Sequence, residues 1–181
     1  MSISSTATTS SCDHLHEVQH FTSNDIAERL TAALEQSRLH GVRFTQLRQQ
    51  IYQLILQANK PVGAYDLITK LQQVRLSETD STSHSKQSLS KNVAPPTIYR
   101  SLEFLLEEGL IHQLTSINAY VPCCHPRAEH TAAFLICQQC QKVQECSSLP
   151  VQEIMSFAEQ DVGFKVARSV IELSGRCQAC Q

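Results

Sequence analysis

Residues 95–124 read PPTIYRSLEFLLEEGLIHQLTSINAYVPCC, and this stretch decides the fold. Two prolines suit the first turn of a helix, where a backbone N–H has no partner to lose. Ile98, Leu102, Leu105 and Leu106 then recur at helical spacing, and Gly109 supplies a stop. Immediately afterwards, Leu110 to Leu114 and Ala119 to Val121 are short apolar runs around Ser116, Ile117 and Asn118, the pattern of a small β-hairpin. A helix feeding a hairpin is the second half of a winged helix-turn-helix.

Upstream, the chain supplies the rest of that unit. Ser23, Asn24 and Asp25 offer cap residues before Ile26, Leu30, Ala33 and Leu34, which share one helical stripe ending at Gly41. Thr45 can cap a second helix carrying Leu47, Ile51, Leu54 and Ile55, and Pro61 follows its end. A third helix fits Ala64 to about Gln73, with Leu67, Ile68 and Leu71 inward. Residues 75–93 are rich in Ser and have almost nothing to bury, which predicts a flexible loop insertion ahead of Pro95. Residues 1–22, with Cys12, His14 and His16, have no helical or strand period and predict a flexible, solvated arm.

Downstream of residue 122 the pattern changes. Phe134 to Ile136 suits a strand, Val151 to Glu159 a helix, and Lys165 to Leu173 a second strand. The expected class is therefore α+β: a winged helix over residues 23–122, followed by a small α/β domain over residues 123–181.

The 181 residues allow one ordinary domain or two small ones, and 41% hydrophobic content suffices for a core. No run approaches the ~20 apolar residues of a membrane helix, and the first residues lack a signal-peptide layout. A cytoplasmic location is expected. There, eight cysteines favour metal ligation over disulfides. The net charge of −2 conceals an asymmetry, because residues 38–100 carry nine basic and three acidic residues while both flanks are acidic. A basic central block suits a polyanionic partner.

Cys137-Gln-Gln-Cys140 and Cys177-Gln-Ala-Cys180 are two C-x2-C pairs separated by enough chain for a helix and a strand. Such turns bring four thiolates onto one cation, the ligand set of a structural zinc site. Four soft donors exclude magnesium and calcium, whereas iron is chemically compatible and a thiol–disulfide redox pair is the competing use. A second donor concentration comprises His112, Cys123, Cys124, His125, His130 and Glu145. One Cys, two His and one Glu would also suit zinc, with ligands from both sides of the domain boundary. The alternative is two surface histidines and a buried thiol.

Together these residues resemble the ferric uptake regulator superfamily, and within it the zinc uptake regulators. The resemblance runs from about Ile26 to Cys180. It rests on Val42 to Arg48, on Pro95-Pro96-Thr97-Ile98-Tyr99-Arg100-Ser101-Leu102, on Asn118 to Val121, on His130-Thr131 before Phe134 to Cys140, on Val143 and Glu145, and on Cys177-x-x-Cys180. The resemblance implies a dimeric, metal-sensing repressor that binds inverted-repeat DNA operators. Carried over by position, Cys137, Cys140, Cys177 and Cys180 hold structural zinc. His112, Cys123, His130 and Glu145 hold regulatory zinc, which makes two Zn2+ per subunit. Arg43, Arg48, Tyr65, Thr97, Tyr99 and Arg100 are the candidate DNA contacts, with Tyr99 and Arg100 in the first turn of the recognition helix, where bases are read.

Iron-sensing members carry a His-His-Asp-His stretch where this chain has Cys123 to His130, and the thiolate favours zinc. An iron- or peroxide-responsive regulator is the alternative. The chain departs from the family at Gln141, where Gly is common, and in its longer Ser-rich loop. No catalytic motif such as H-E-x-x-H or a nucleophile elbow is present, so no enzymatic activity and no small-molecule substrate are expected.

Overall fold

The computed structural model describes residues 16–17, 21–79, 93–126, 132–146, 151–166 and 169–181. Helix α1 (Ser23–Leu39) opens with a capping box one residue ahead of the expected cap cluster: the Asp25 N–H donates to the Thr22 hydroxyl at 3.2 Å, and the Thr22 N–H donates to the Asp25 carboxylate at 2.8 Å. It stops where Gly41 adopts φ 69°. Helix α2 (Gln46–Leu56) is capped by Thr45, as its sequence predicts. Helix α3 (Ala64–Thr79) is longer than predicted. Arg75, Leu76 and Glu78 are good helix formers and no Gly or Pro interrupts them, so residues 75–79 of the expected loop are helical.

Helix α4 (Pro95–Glu107) begins on its prolines and ends as Gly109 turns at φ 61°. The hairpin follows at once: β2 (Ile111–Leu114) pairs antiparallel with β3 (Ala119–Pro122) across a turn in which Asn118 has φ 48°. Val62 and Tyr120 exchange backbone hydrogen bonds of 3.0 and 2.9 Å, fastening the start of α3 to the hairpin. Ile51, Ile55, Leu67, Leu71, Ile98, Leu102 and Leu105 fill a shared core. This is a winged helix-turn-helix.

The second unit is a mixed sheet in the order β1-β5-β4-β6, comprising β1 (His16–Glu17), β4 (Ala133–Cys137), β5 (Val143–Cys146) and β6 (Ile171–Gly175). Strand β5 runs antiparallel and β6 parallel to β4. The helix α5 (Val151–Ser156) continues as a π-helical turn to Asp161. Three details correct the sequence expectation. Pairing in β6 starts at Ile171 rather than at Lys165, and β5 had no periodic signal in its four residues. Within the expected flexible arm, His16–Glu17 adds a two-residue strand beside Glu145 and Gln144.

The hairpin joins the two units. Leu114 and Val121 from the wing pack with Ala132, Phe134, Ile136 and Val143 in a second apolar cluster. An open cleft of about 750 Å³ lies between the units, lined by Tyr99, Glu103 and Glu107 of α4 and by Phe134, Ser169 and Val170. On the other unit, Ile154, Phe157, Val162, Phe164, Val170 and Leu173 are large apolar side chains left exposed within one short stretch. Exposed apolar patches are a common feature of association surfaces.

Candidate metal centres and nucleic-acid interface

The Cys137, Cys140, Cys177 and Cys180 sulfurs all lie within 4.8 Å of one another. Cys137 ends β4, Cys140 closes the turn after it, and the C-terminal turn carries the other two. Backbone bonds hold this arrangement: Cys137 N–H donates to Lys142 O at 2.9 Å, Gln138 N–H to Gly175 O at 2.8 Å and Gln141 N–H to Cys137 O at 2.9 Å. Gln141 adopts φ 60°. The turn therefore demands the left-handed conformation that glycine takes without strain, and this chain meets it with a glutamine.

The electrostatics of the four thiols are uneven. Backbone N–H donors, first Cys140 and then Cys177, lower the Cys137 thiol to about 6. Hydrogen bonds with the Cys177 and Cys140 side chains push Cys180 up to about 12. Cys140 Sγ and Cys177 Sγ stand 3.7 Å apart. Only a bound cation would let all four ionise so close together, and no disulfide links the described cysteines. The donor chemistry thus fits a tetrathiolate metal and leaves no open position for substrate.

The second site is built where the wing meets the sheet. His112 projects from β2, Cys123 follows β3, and Glu145 lies on β5; their donor atoms also fall within 4.8 Å of one another. His112 Nε2 is 3.6 Å from Glu145 Oε1. Cys123 is wholly buried and Glu145 is 4% exposed. The His112 ring meets the Phe134 ring edge-on at 5.2 Å between centroids. A buried nitrogen, sulfur and carboxylate in one place form a mixed N/S/O donor set, with one soft donor, that suits zinc. His130 lies outside the described residues, as do Cys12 and His14.

Around this triad, the Cys124 N–H donates to Glu145 Oε2 at 3.3 Å, and Cys124 Sγ is 3.0 Å from His125 Nδ1. Burial, and then the Glu145 carboxylate, push the Cys124 thiol far above its ordinary range. Arg29 contributes a support that nothing in the sequence singles out. Its guanidinium donates to Cys123 O at 2.9 Å and to Cys124 O at 3.3 Å, tying α1 to the site loop. Nor does the sequence single out Glu172, which from β6 contacts the wing turn at Thr115 and Ser116.

Of the candidate DNA contacts, Thr97, Tyr99 and Arg100 stand exposed on the first turn of α4, opposite the buried Ile98 and Leu102. Tyr65 is 73% exposed at the start of α3, and Arg43 is exposed before α2. Arg48 differs from these. Its guanidinium donates to Arg43 O and stacks 3.6 Å from the centroid of the Phe104 ring, so the fold engages it internally.

The sequence pattern of the ferric uptake regulator family matches residues 39–174. The zinc uptake regulation protein of Escherichia coli (strain K12) is 33% identical over 141 residues, spanning 77% of this chain and 74% of the relative. Among solved structures, a zinc uptake regulator complexed with zinc and DNA superposes with a TM-score of 0.71 at 34% identity, covering 88% of this chain and 96% of the other. A crystal structure of holo XcZur superposes at 0.66 and 31% identity, covering 84% and 96%.

Proposed function

The chain belongs to the ferric uptake regulator family, and from that premise we propose how it works as a zinc-responsive DNA-binding repressor. It is a homodimer that binds double-stranded operator DNA and represses zinc uptake genes; it acts in the cytoplasm and has no catalytic role. The observation that carries this reading is the position of the second donor set: His112 lies on the wing strand β2 and Cys123 directly follows β3, while Glu145 belongs to the sheet.

Two zinc ions per subunit fit the residues present. Cys137, Cys140, Cys177 and Cys180 would hold one as a permanent part of the second domain, residues 123–181. His112, Cys123 and Glu145, with His130 as a fourth ligand, would hold the regulatory one, which supplies a cross-link between wing and sheet. The recognition helix α4 runs straight into β2, so the orientation of the wing on the sheet is the orientation of α4. The exposed apolar stretch from Ile154 to Leu173 joins the protomers, and together they present two recognition helices to an inverted repeat. Arg100 and Tyr99 read bases, Thr97, Tyr65 and Arg43 reach the backbone, and the basic block over residues 38–100, the greater part of the winged helix at residues 23–122, attracts phosphates. Arg48 supports this face by packing on Phe104.

Metal analysis and thiol titration on one sample test the assignment. Two zinc ions per protomer are expected, one removed by mild chelation with loss of DNA binding and one retained with the tetrathiolate unreactive. Full thiol reactivity in zinc-loaded protein, or a regulatory site filled only by ferrous iron, would refute it.

A further inference from the structure

The turn between β2 and β3 grips a carboxylate from the other domain. The Thr115 N–H and hydroxyl donate to Glu172 Oε1 at 2.7 and 2.8 Å. The Ser116 N–H donates to Glu172 Oε2 at 3.1 Å, and the Ser116 hydroxyl completes the set on the same oxygen. Four donors from two consecutive residues thus engage both oxygens of one carboxylate across 56 and 57 positions of sequence. Bonds to an ionised acceptor are stronger than neutral ones, and two-point contact fixes direction as well as distance. Partial desolvation acts to raise the Glu172 pKa, but the hydrogen bonds from Ser116 and Thr115 more than offset it, and the group sits below its ordinary range.

The position of this contact gives it a consequence. The wing already touches the sheet through Leu114 and Val121 and through the donor set at His112, Cys123 and Glu145. Those contacts stop at Leu114, and the turn residues Thr115 and Ser116 lie beyond them. Glu172 lies on β6, next to Phe134 in the β4 register, and holds that turn. A hairpin fixed at its base, face and tip has no freedom to swivel on the sheet, and α4 joins its base directly through Gly109.

We propose that Glu172 is a positioning residue for DNA binding: a latch on Thr115 and Ser116 that completes the geometry set by the regulatory metal. The latch strengthens the coupling between zinc and DNA, because the free energy that binds zinc is transmitted to α4 only as far as the wing is rigid on the sheet. This role rests on the repressor reading above, whereas the latch itself does not.

Two readouts on the full-length, zinc-loaded dimer test it. The first is amide exchange at Thr115 and Ser116. The second is affinity, with and without buffered zinc, for a DNA duplex that the wild-type protein selects from a randomised pool. Glu172→Ala should expose both amides and weaken zinc-loaded DNA binding about tenfold. Zinc content and dimer mass should stay unchanged, and the ratio between zinc-loaded and zinc-poor affinities should shrink. Thr115→Ala/Ser116→Ala, which breaks the latch from the other side, should do the same, and adding Glu172→Ala to it should cost little more. Glu172→Gln should be intermediate. Unchanged exchange in Glu172→Ala would overturn the latch; faster exchange with undiminished DNA affinity and zinc response would overturn the positioning role. A wild-type protein that ignored zinc would count against the repressor reading, while the exchange data would still decide the latch.

Discussion

Cys123 and Cys137 are both buried cysteines, each grouped with side chains that could hold a metal ion, yet their losses should differ. Cys123→Ser removes one ligand from a site between two folded units. It is expected to abolish the zinc dependence of DNA binding and leave a dimer with native circular dichroism. Cys137→Ser breaks the clip that returns the C-terminus to β4, and since metal binding is part of that domain's folding energy, it should unfold the second domain. Equal unfolding by both would erase the distinction. Gln141 supplies a prediction of opposite sign. Its φ of 60° is strained for a side-chain-bearing residue, so Gln141→Gly should stabilise the zinc-loaded protein by about 0.5–1 kcal/mol, seen as a melting temperature raised by a few degrees. That position was visible in the sequence as a departure from the family's Gly, but its left-handed backbone was not.

At the scale of elements, the helices and the hairpin were legible because their signals are local. Thr45 caps α2, the prolines open α4, and Gly109 ends it. Other features depend on distant partners. The four residues of β5 have no alternation to detect; they become a strand because β4 lies alongside. The role of Arg48 was equally hidden, since Phe104 is 56 residues away. A contrast between arginines follows. Arg100→Ala should weaken DNA binding by about 1–3 kcal/mol and relax specificity at one base position. Arg43→Ala should weaken all sequences alike and flatten the salt dependence by about one counterion. Arg48→Ala should lower thermal stability as well, because it removes a stacked ring contact. Binding assays against salt and single-base variants, with melting curves, separate the three. Acidification probes the Glu172 latch. Its carboxyl is held below the ordinary glutamate range, so its contribution is complete above that range and is lost as pH falls through the lowered value. Protection of the Thr115 and Ser116 amides should therefore persist through mild acid and fade only in stronger acid, as amide exchange corrected for intrinsic pH dependence will report.

For the whole molecule, the division into a basic reader and acidic flanks was readable from charge, and the tetrathiolate from spacing. The sequence placed candidate metal donors on both sides of the domain boundary but did not reveal that the wing's apolar side chains are shared between the two units. Leu114 and Val121 leave the helical core to pack with Phe134, and the metal donors gather at the same junction. With the exposed apolar residues Ile154, Phe157, Val162, Phe164, Val170 and Leu173 proposed as the contact between protomers, Phe157→Asp with Phe164→Asp should yield monomers by light scattering and lose operator affinity. The central claim is that metal between wing and sheet sets the reach of the recognition helices. Its most direct measurement is the affinity of the dimer for operator-type duplex DNA across buffered free zinc, ferrous iron and manganese, with the tetrathiolate site kept filled. Affinity rising with zinc occupancy of the His112, Cys123 and Glu145 site, and vanishing in Cys123→Ser, is the predicted result; DNA binding indifferent to zinc, or responsive to ferrous iron alone, would contradict it.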